Sequence, residues 1–259
     1  QQALRLDAVA VNAHPTRRGL SLPKVALGLD LTGGALDLDV DAHGLDAAGT
    51  VQLGQIPAHL RWRENFAAKG TPFRSRYQLK LAALTEEQRR QIGLDGPPFV
   101  APYLAGPVGG DVTVTLGPGT RGAVEAALDL GPARMELPGL GWAKPAGKPG
   151  AAEVTLLLDS LRLAQVPRFV VRAQDLEARG AVSFGPDGRA RRVEMARLAY
   201  GRTEGEARLD LRPGGGLDVV FRGAAFDAAP ALADDDRKAG ADAPPADKPP
   251  LALDLQARS

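Results

Sequence analysis

The residues most suggestive of ligand chemistry are Gly117-Pro118-Gly119-Thr120-Arg121-Gly122, which fit GxGxxG, with Glu136 downstream where a ribose-binding acid would stand. A dinucleotide site needs such a turn to open a helix whose N-terminus faces the pyrophosphate. Pro118 and the alternating residues on either side fit a hairpin better. Gly147-Lys148-Pro149 resembles the end of a phosphate loop, but Trp142 stands at the first glycine position and Pro149 at the hydroxyl position that would hold magnesium. Asp37, Asp39 and Asp41 have the spacing that starts a calcium loop. Ala42 replaces its glycine and Ala48 its final glutamate. His14, His43 and His59 have no partner at metal-ligand spacing, and no GxSxG surrounds Ser160 or Ser183. The absence of cysteine excludes a disulfide scaffold, a zinc–thiolate site and a cysteine nucleophile. Glycosidase-type carboxylate pairs leave no local motif, and nothing selects one here. The expectation is a protein without catalytic residues, metal or cofactor.

Arg189, Arg191, Arg192, Arg197 and Arg202 form a basic cluster interleaved with Glu194, Glu204 and Glu206. A solvated strand face explains this pattern; contact with anionic headgroups or a partner is the alternative. Lys and Arg total 32 against 31 Asp and Glu, which argues against a general nucleic-acid binder.

The elements that would position any site read as strands. Side chains alternate across a strand, so large apolar residues at every second position mark one greasy face. Val25, Leu27, Leu29 and Leu31 alternate in this way, and so do Leu36, Leu38 and Val40. Gly33-Gly34 between these runs predicts a hairpin turn. The pattern returns in Val112, Val114 and Leu116, and in Leu128 and Leu130. It continues through Val154, Leu156 and Leu158, Leu161 and Leu163, Leu209 and Leu211, and Leu217, Val219 and Phe221. The 31 glycines and 21 prolines supply turn signals every 8–12 residues or so. Arg179 to Phe184 is mixed on both faces. One short helix is expected near 85–93, where Thr85-Glu86-Glu87-Gln88 matches a capping box. Residues 1–229 therefore read as one β segment of consecutive hairpins, whose apolar faces would be closed in a sandwich or left lining a β-groove. Residues 230–250, rich in Ala, Asp and Pro, read as a flexible loop, and 251–259 as a return strand continuing the sheet. No run of apolar residues is long enough for a membrane-spanning helix, and the start at Gln1 suggests an excerpt or processed product.

Gly106 to Val112, Glu136-Leu137-Pro138-Gly139-Leu140-Gly141-Trp142 to Gly147, Leu161 to Phe184, Leu198 to Thr203 and Val219 to Pro230 resemble segments of the AsmA-like superfamily. The likeness is closest to the central domain of YhdP-type proteins, related to TamB, and covers roughly half the chain. The resemblance implies a Gram-negative cell-envelope protein in the periplasm, anchored to the inner membrane by a segment outside this chain. It also implies a long curled antiparallel sheet whose open apolar groove carries phospholipid between inner and outer membranes. The implied partners are phospholipid acyl chains, other segments of the same protein and membrane partners at either end, with no nucleic acid.

Elementary energetics fit such a conduit. About 15 strands at roughly 4.8 Å spacing make a trough on the order of 70 Å long. At about 0.8 kcal/mol per CH₂, moving a 16-carbon chain from bilayer to water costs on the order of 12 kcal/mol, which an apolar groove largely offsets. The apolar residues named above are its expected lining. The alternative is a non-enzymatic structural or assembly scaffold of the envelope that holds no lipid.

Overall fold

The computed structural model describes the backbone at residues 17–18, 21–26, 29–67, 70–212, 216–225, 227 and 251–257; side chains are described at 32, 34–67, 70–138, 140–212, 216–225 and 227. Among the described residues the fold is all-β with one short α-helix. The first strands are β1 (Arg17–Arg18), β2 (Ser21–Ala26), β3 (Leu29–Val40), β4 (Gly44–Leu53), β5 (Ile56–Asn65) and β6 (Ser75–Leu84). Helix α1 (Glu86–Gln91) and β7 (Leu104–Ala105) follow, then β8 (Val108–Leu116), β9 (Arg121–Asp129), β10 (Arg134–Leu137) and β11 (Trp142–Lys144). The second half holds β12 (Gly150–Asp159), β13 (Arg162–Ala173), β14 (Leu176–Phe184), β15 (Ala190–Tyr200), β16 (Thr203–Leu211), β17 (Leu217–Ala225) and β18 (Leu251–Ala257).

Fifteen strands form one sheet in nearly sequential order, from β1 and β3 through β6, β8, β9 and β12 to β18, with β2 also pairing β3. Its edges do not meet, so it is an open sheet and not a barrel. Fourteen strands in line extend about 60 Å along the hydrogen-bonding direction. Every pairing is antiparallel except the last. β18 pairs with β17 in parallel, Leu217 opposite Leu251 and Phe221 opposite Leu255. The expected flexible loop at 230–250 lies outside the described residues.

The helix is placed by its cap. The Thr85 hydroxyl accepts from the Gln88 N–H, and the Gln88 side chain accepts from the Thr85 N–H at 2.9 Å. Glu86 and Glu87 open the helix and Arg89 and Arg90 close it, complementing the backbone dipole.

Gly33-Gly34 does not form the expected turn. It lies inside β3, where the register against β4 slips between Thr32 and Ala35. Gly34 has φ +89°, and a Cβ there would sit 1.8 Å from the Thr50 carbonyl oxygen. The pair is thus a bulge that lets two backbones approach closely. The bulge also explains why the apolar parity changes along this strand: register puts both Leu31 and Leu36 opposite the same face of β4.

A band of similar slips crosses the other half of the sheet, at Val166/Phe169, Arg179/Gly180, Met195/Leu198 and Glu204/Gly205. Gly180, Gly205 and Gly223 lie in this band, and a Cβ on any of them would come within 2.4 Å of a backbone oxygen. Adjacent bulges bend and twist a sheet more strongly than regular pairing.

Two insertions fold at the same end of the strands. α1 and the 92–103 segment follow β6; β10, a 3-10 turn (Pro138–Leu140) and β11 follow β9. β7, β10 and β11 form a separate three-stranded sheet. This small cap packs on the large sheet through Trp142, Met135, Leu137 and Leu140, against Leu176, Leu198, Tyr200 and Phe221.

Candidate functional site

The register places one apolar row across the sheet. Leu36 faces Gly49, which faces Leu60, then Leu79, Val112, Ala126, Val154, Phe169, Gly180, Met195, Ala207 and Phe221, with Leu255 next in register. None of these residues is polar. The row one residue over reads Asp37, Ala48, Arg61, Gln78, Thr113, Glu125, Thr155 and Arg168. A single step along the backbone thus separates an aliphatic face from a hydrophilic one, as the pleat requires.

Most of the expected lining residues with described side chains belong to the apolar face. Leu36, Leu38, Val40, Val112, Val114, Leu116 and Leu128 lie on it, with Leu130 continuing it past the end of β9. So do Val154, Leu156, Leu158, Leu163, Leu209, Leu211, Leu217, Val219 and Phe221. Leu161 does not: it occupies the β12–β13 turn and is 71% exposed. Val25, Leu29 and Leu31 fall within β2 and β3, but their side chains, and Leu27 altogether, lie outside the described residues. The mixed stretch resolves cleanly: Gly180, Val182 and Phe184 face with Met195 and Val193, and Arg179 and Ser183 face away. Sequence reasoning passed over Val51, Leu53, Ile56, Leu60, Tyr77 and Leu79, which belong to the buried core of this face. Their alternation in β4, β5 and β6 was the available signal.

Burial varies along the strands. At the cap end, Leu53, Ile56, Leu84, Ala173, Leu176 and Tyr200 are buried. At the opposite border, where the β8–β9, β12–β13, β14–β15 and β16–β17 hairpins turn, Leu116, Leu158, Val182, Val193 and Leu209 are only half-buried; Leu163 and Leu211 are exposed. The apolar face is therefore most deeply buried at the cap end and more accessible at the opposite border. The β5–β6 part of that border is polar: the Trp62 indole donates to Glu64, and Arg74 pairs with Glu64 at 3.3 Å.

The cap is fastened by two buried cations. Lys144 is 0% exposed, and its Nζ donates to the carbonyl oxygens of Gly131, Ala133, Pro145 and Lys148 at 2.7–3.2 Å. Burial pulls its pKa below the ordinary lysine value, with Asp129 opposing. Arg89, 2% exposed, donates to the carbonyls of Leu84, Phe99, Leu104 and Gly106. Each cation gathers several loop carbonyls around one buried charge; Gly131 O and Pro145 O also accept from the Gly147 and Lys148 N–H groups.

The motifs weighed above take structural places. Gly117–Gly122 is the β8–β9 hairpin turn, closed by Gly117 N–H donating to Arg121 O, and opens no helix. Lys148 lends a carbonyl to Lys144. Asp37 and Asp39 stand on the hydrophilic face, and Asp41 caps a turn by accepting from the His43 and Gly44 N–H groups, which hold its pKa down. No group of three metal-ligating side chains occurs among the described residues. The arginine cluster forms cross-strand ion pairs, Arg197 with Glu177 and Glu204 at 2.9 Å and Arg192 with Asp210 at 2.5 Å. On the hydrophilic side of the bulge band lies a depression of about 650 Å³ lined by Arg172, Arg179, Arg208, Glu194 and Glu206.

No protein-family model matches this chain, and neither a curated protein nor a solved structure is significantly similar to it.

Proposed function

We propose that the chain holds phospholipid acyl chains along its apolar face, as a segment of an AsmA-like envelope protein that passes phospholipid between the inner and outer membranes. The periplasmic location and an anchor outside this chain belong to the same reading. The observation that carries it is the uninterrupted apolar row from Leu36 to Phe221, flanked toward the β8–β9 to β16–β17 turns by the half-buried Leu116, Leu158, Val193 and Leu209. From Val112 to Val219 the cross-strand rows of this face bring no charged side chain into register. A face of that length has no directional hydrogen-bonding partner to offer, so it suits ligands that slide and are bound by area alone. Nothing in this account needs a catalytic residue, a metal or a cofactor.

Native mass spectrometry of the purified chain tests the reading. Phospholipid adducts that fall away in Leu209→Asp and Leu156→Asp, with β-sheet content unchanged, support it. A lipid-free mass after membrane-extracted purification contradicts it and favours the scaffold.

A further inference from the structure

The β12–β13 hairpin turns through Ser160-Leu161, with Leu158 opposite Leu163 and Asp159 opposite Arg162. Both turn residues have positive φ, 51° and 61°. A two-residue turn of this hand favours Asn-Gly, because a bulky side chain is strained in the left-handed region. Leucine here is the wrong residue for the turn, and at 71% exposure it returns nothing to the folded core. Its neighbours Leu157 and Leu163 are also exposed, one on each face of the hairpin. Strain held at an exposed apolar tip points to a role outside folding.

The surrounding charges indicate what covers the tip. Arg121, Arg162 and Arg189 stand at the turns of three successive hairpins of this border, all exposed and none in an ion pair among the described residues. Ser160 N–H donates to Thr120 O at 2.8 Å, holding the first two tips together. Asp159 lies between Arg121 and Arg162 in register and accepts from the Ser160 hydroxyl; Asp187 is taken by Arg191 at 2.6 Å. An exposed apolar tip with exposed arginines at its own and the two neighbouring turns matches the depth profile of a bilayer with anionic headgroups.

We propose that this border docks on an anionic phospholipid bilayer, with Leu161 inserted among the acyl chains and Arg121, Arg162 and Arg189 on the headgroups. The inference goes beyond the groove reading and stands without lipid in the groove. It is tested on the whole chain, which has no native cysteine, so a cysteine at 161 takes an environment-sensitive fluorophore at a single position. Vesicles of phosphatidylcholine with phosphatidylglycerol are expected to shift the label at 161 to the blue and brighten it, while a label at Ala127 on the hydrophilic face stays unchanged. Ser160→Asn with Leu161→Gly suits the turn and keeps the fold, yet is expected to weaken vesicle binding about tenfold, the loss of one buried leucine. Arg121→Glu, Arg162→Glu and Arg189→Glu together are expected to abolish it. A label at 161 that stays in water with every vesicle, an equal response to pure phosphatidylcholine, or full binding by the Asn-Gly variant would each overturn the proposal. Bound phospholipid in the native mass spectrum alongside absent vesicle binding would leave the groove reading intact and remove only this one.

Discussion

The Trp142 indole Nε1 donates to Asp175 Oδ1 at 2.9 Å, fastening the cap to the turn between β13 and β14. The other carboxylate oxygen accepts from Gly201 N–H at 3.0 Å, so one side chain clips the cap, the β13–β14 turn and the β15–β16 turn together. Trp142 can then lie on Leu176, Leu198 and Phe221 at the cap end of the apolar face.

The Trp142 hydrogen bond is the largest cause of a lowered Asp175 pKa. A carboxyl whose folded-state pKa is depressed contributes stability above its unfolded value and loses it as pH falls through the folded one. The wild type should therefore lose this contribution below about pH 4. Asp175→Asn should cost about 1 kcal/mol near neutral pH and show a shallower acid limb. Thermal melts of both proteins across the acid range check this.

Lys144→Met should destabilise the fold by about 3 kcal/mol, because four carbonyls lose a buried donor. Chemical denaturation measures it. Hydrogen exchange should locate the loosening at residues 130–150, with the strands beyond β15 unaffected.

Alternation made the sheet legible, because a one-sided strand has no other way to write itself. The same signal puts Leu156, Leu209 and Phe221 on one face, the face that the register gives them. Gly33-Gly34 misled because a glycine pair serves a hairpin turn and a bulge equally well; only the partner strand decides between them. Leu161 misled because a turn residue inherits the parity of the strand beside it without facing the same way. The cap escaped notice for a different reason: Lys144 and Arg89 look like surface cations until distant carbonyls are folded around them.

Gly180→Ala should destabilise by about 2 kcal/mol or more, since a Cβ would meet the Glu194 carbonyl oxygen at 1.9 Å with only backbone to yield. Ala181→Gly, on the opposite face of the same strand, should cost less than half as much. Denaturant titrations of the pair give the comparison.

Leu209 and Arg208 are neighbours in β16 that point to opposite faces, Leu209 toward Val193 and Val219 and Arg208 toward Glu194 and Val220. A photoreactive benzophenone amino acid at each, irradiated in cells and analysed by mass spectrometry, asks directly which face touches lipid. Phospholipid crosslinked at 209 and absent at 208 is the predicted result. Equal labelling at the two positions, or labelling at 208 alone, would contradict an acyl-chain groove on the apolar face.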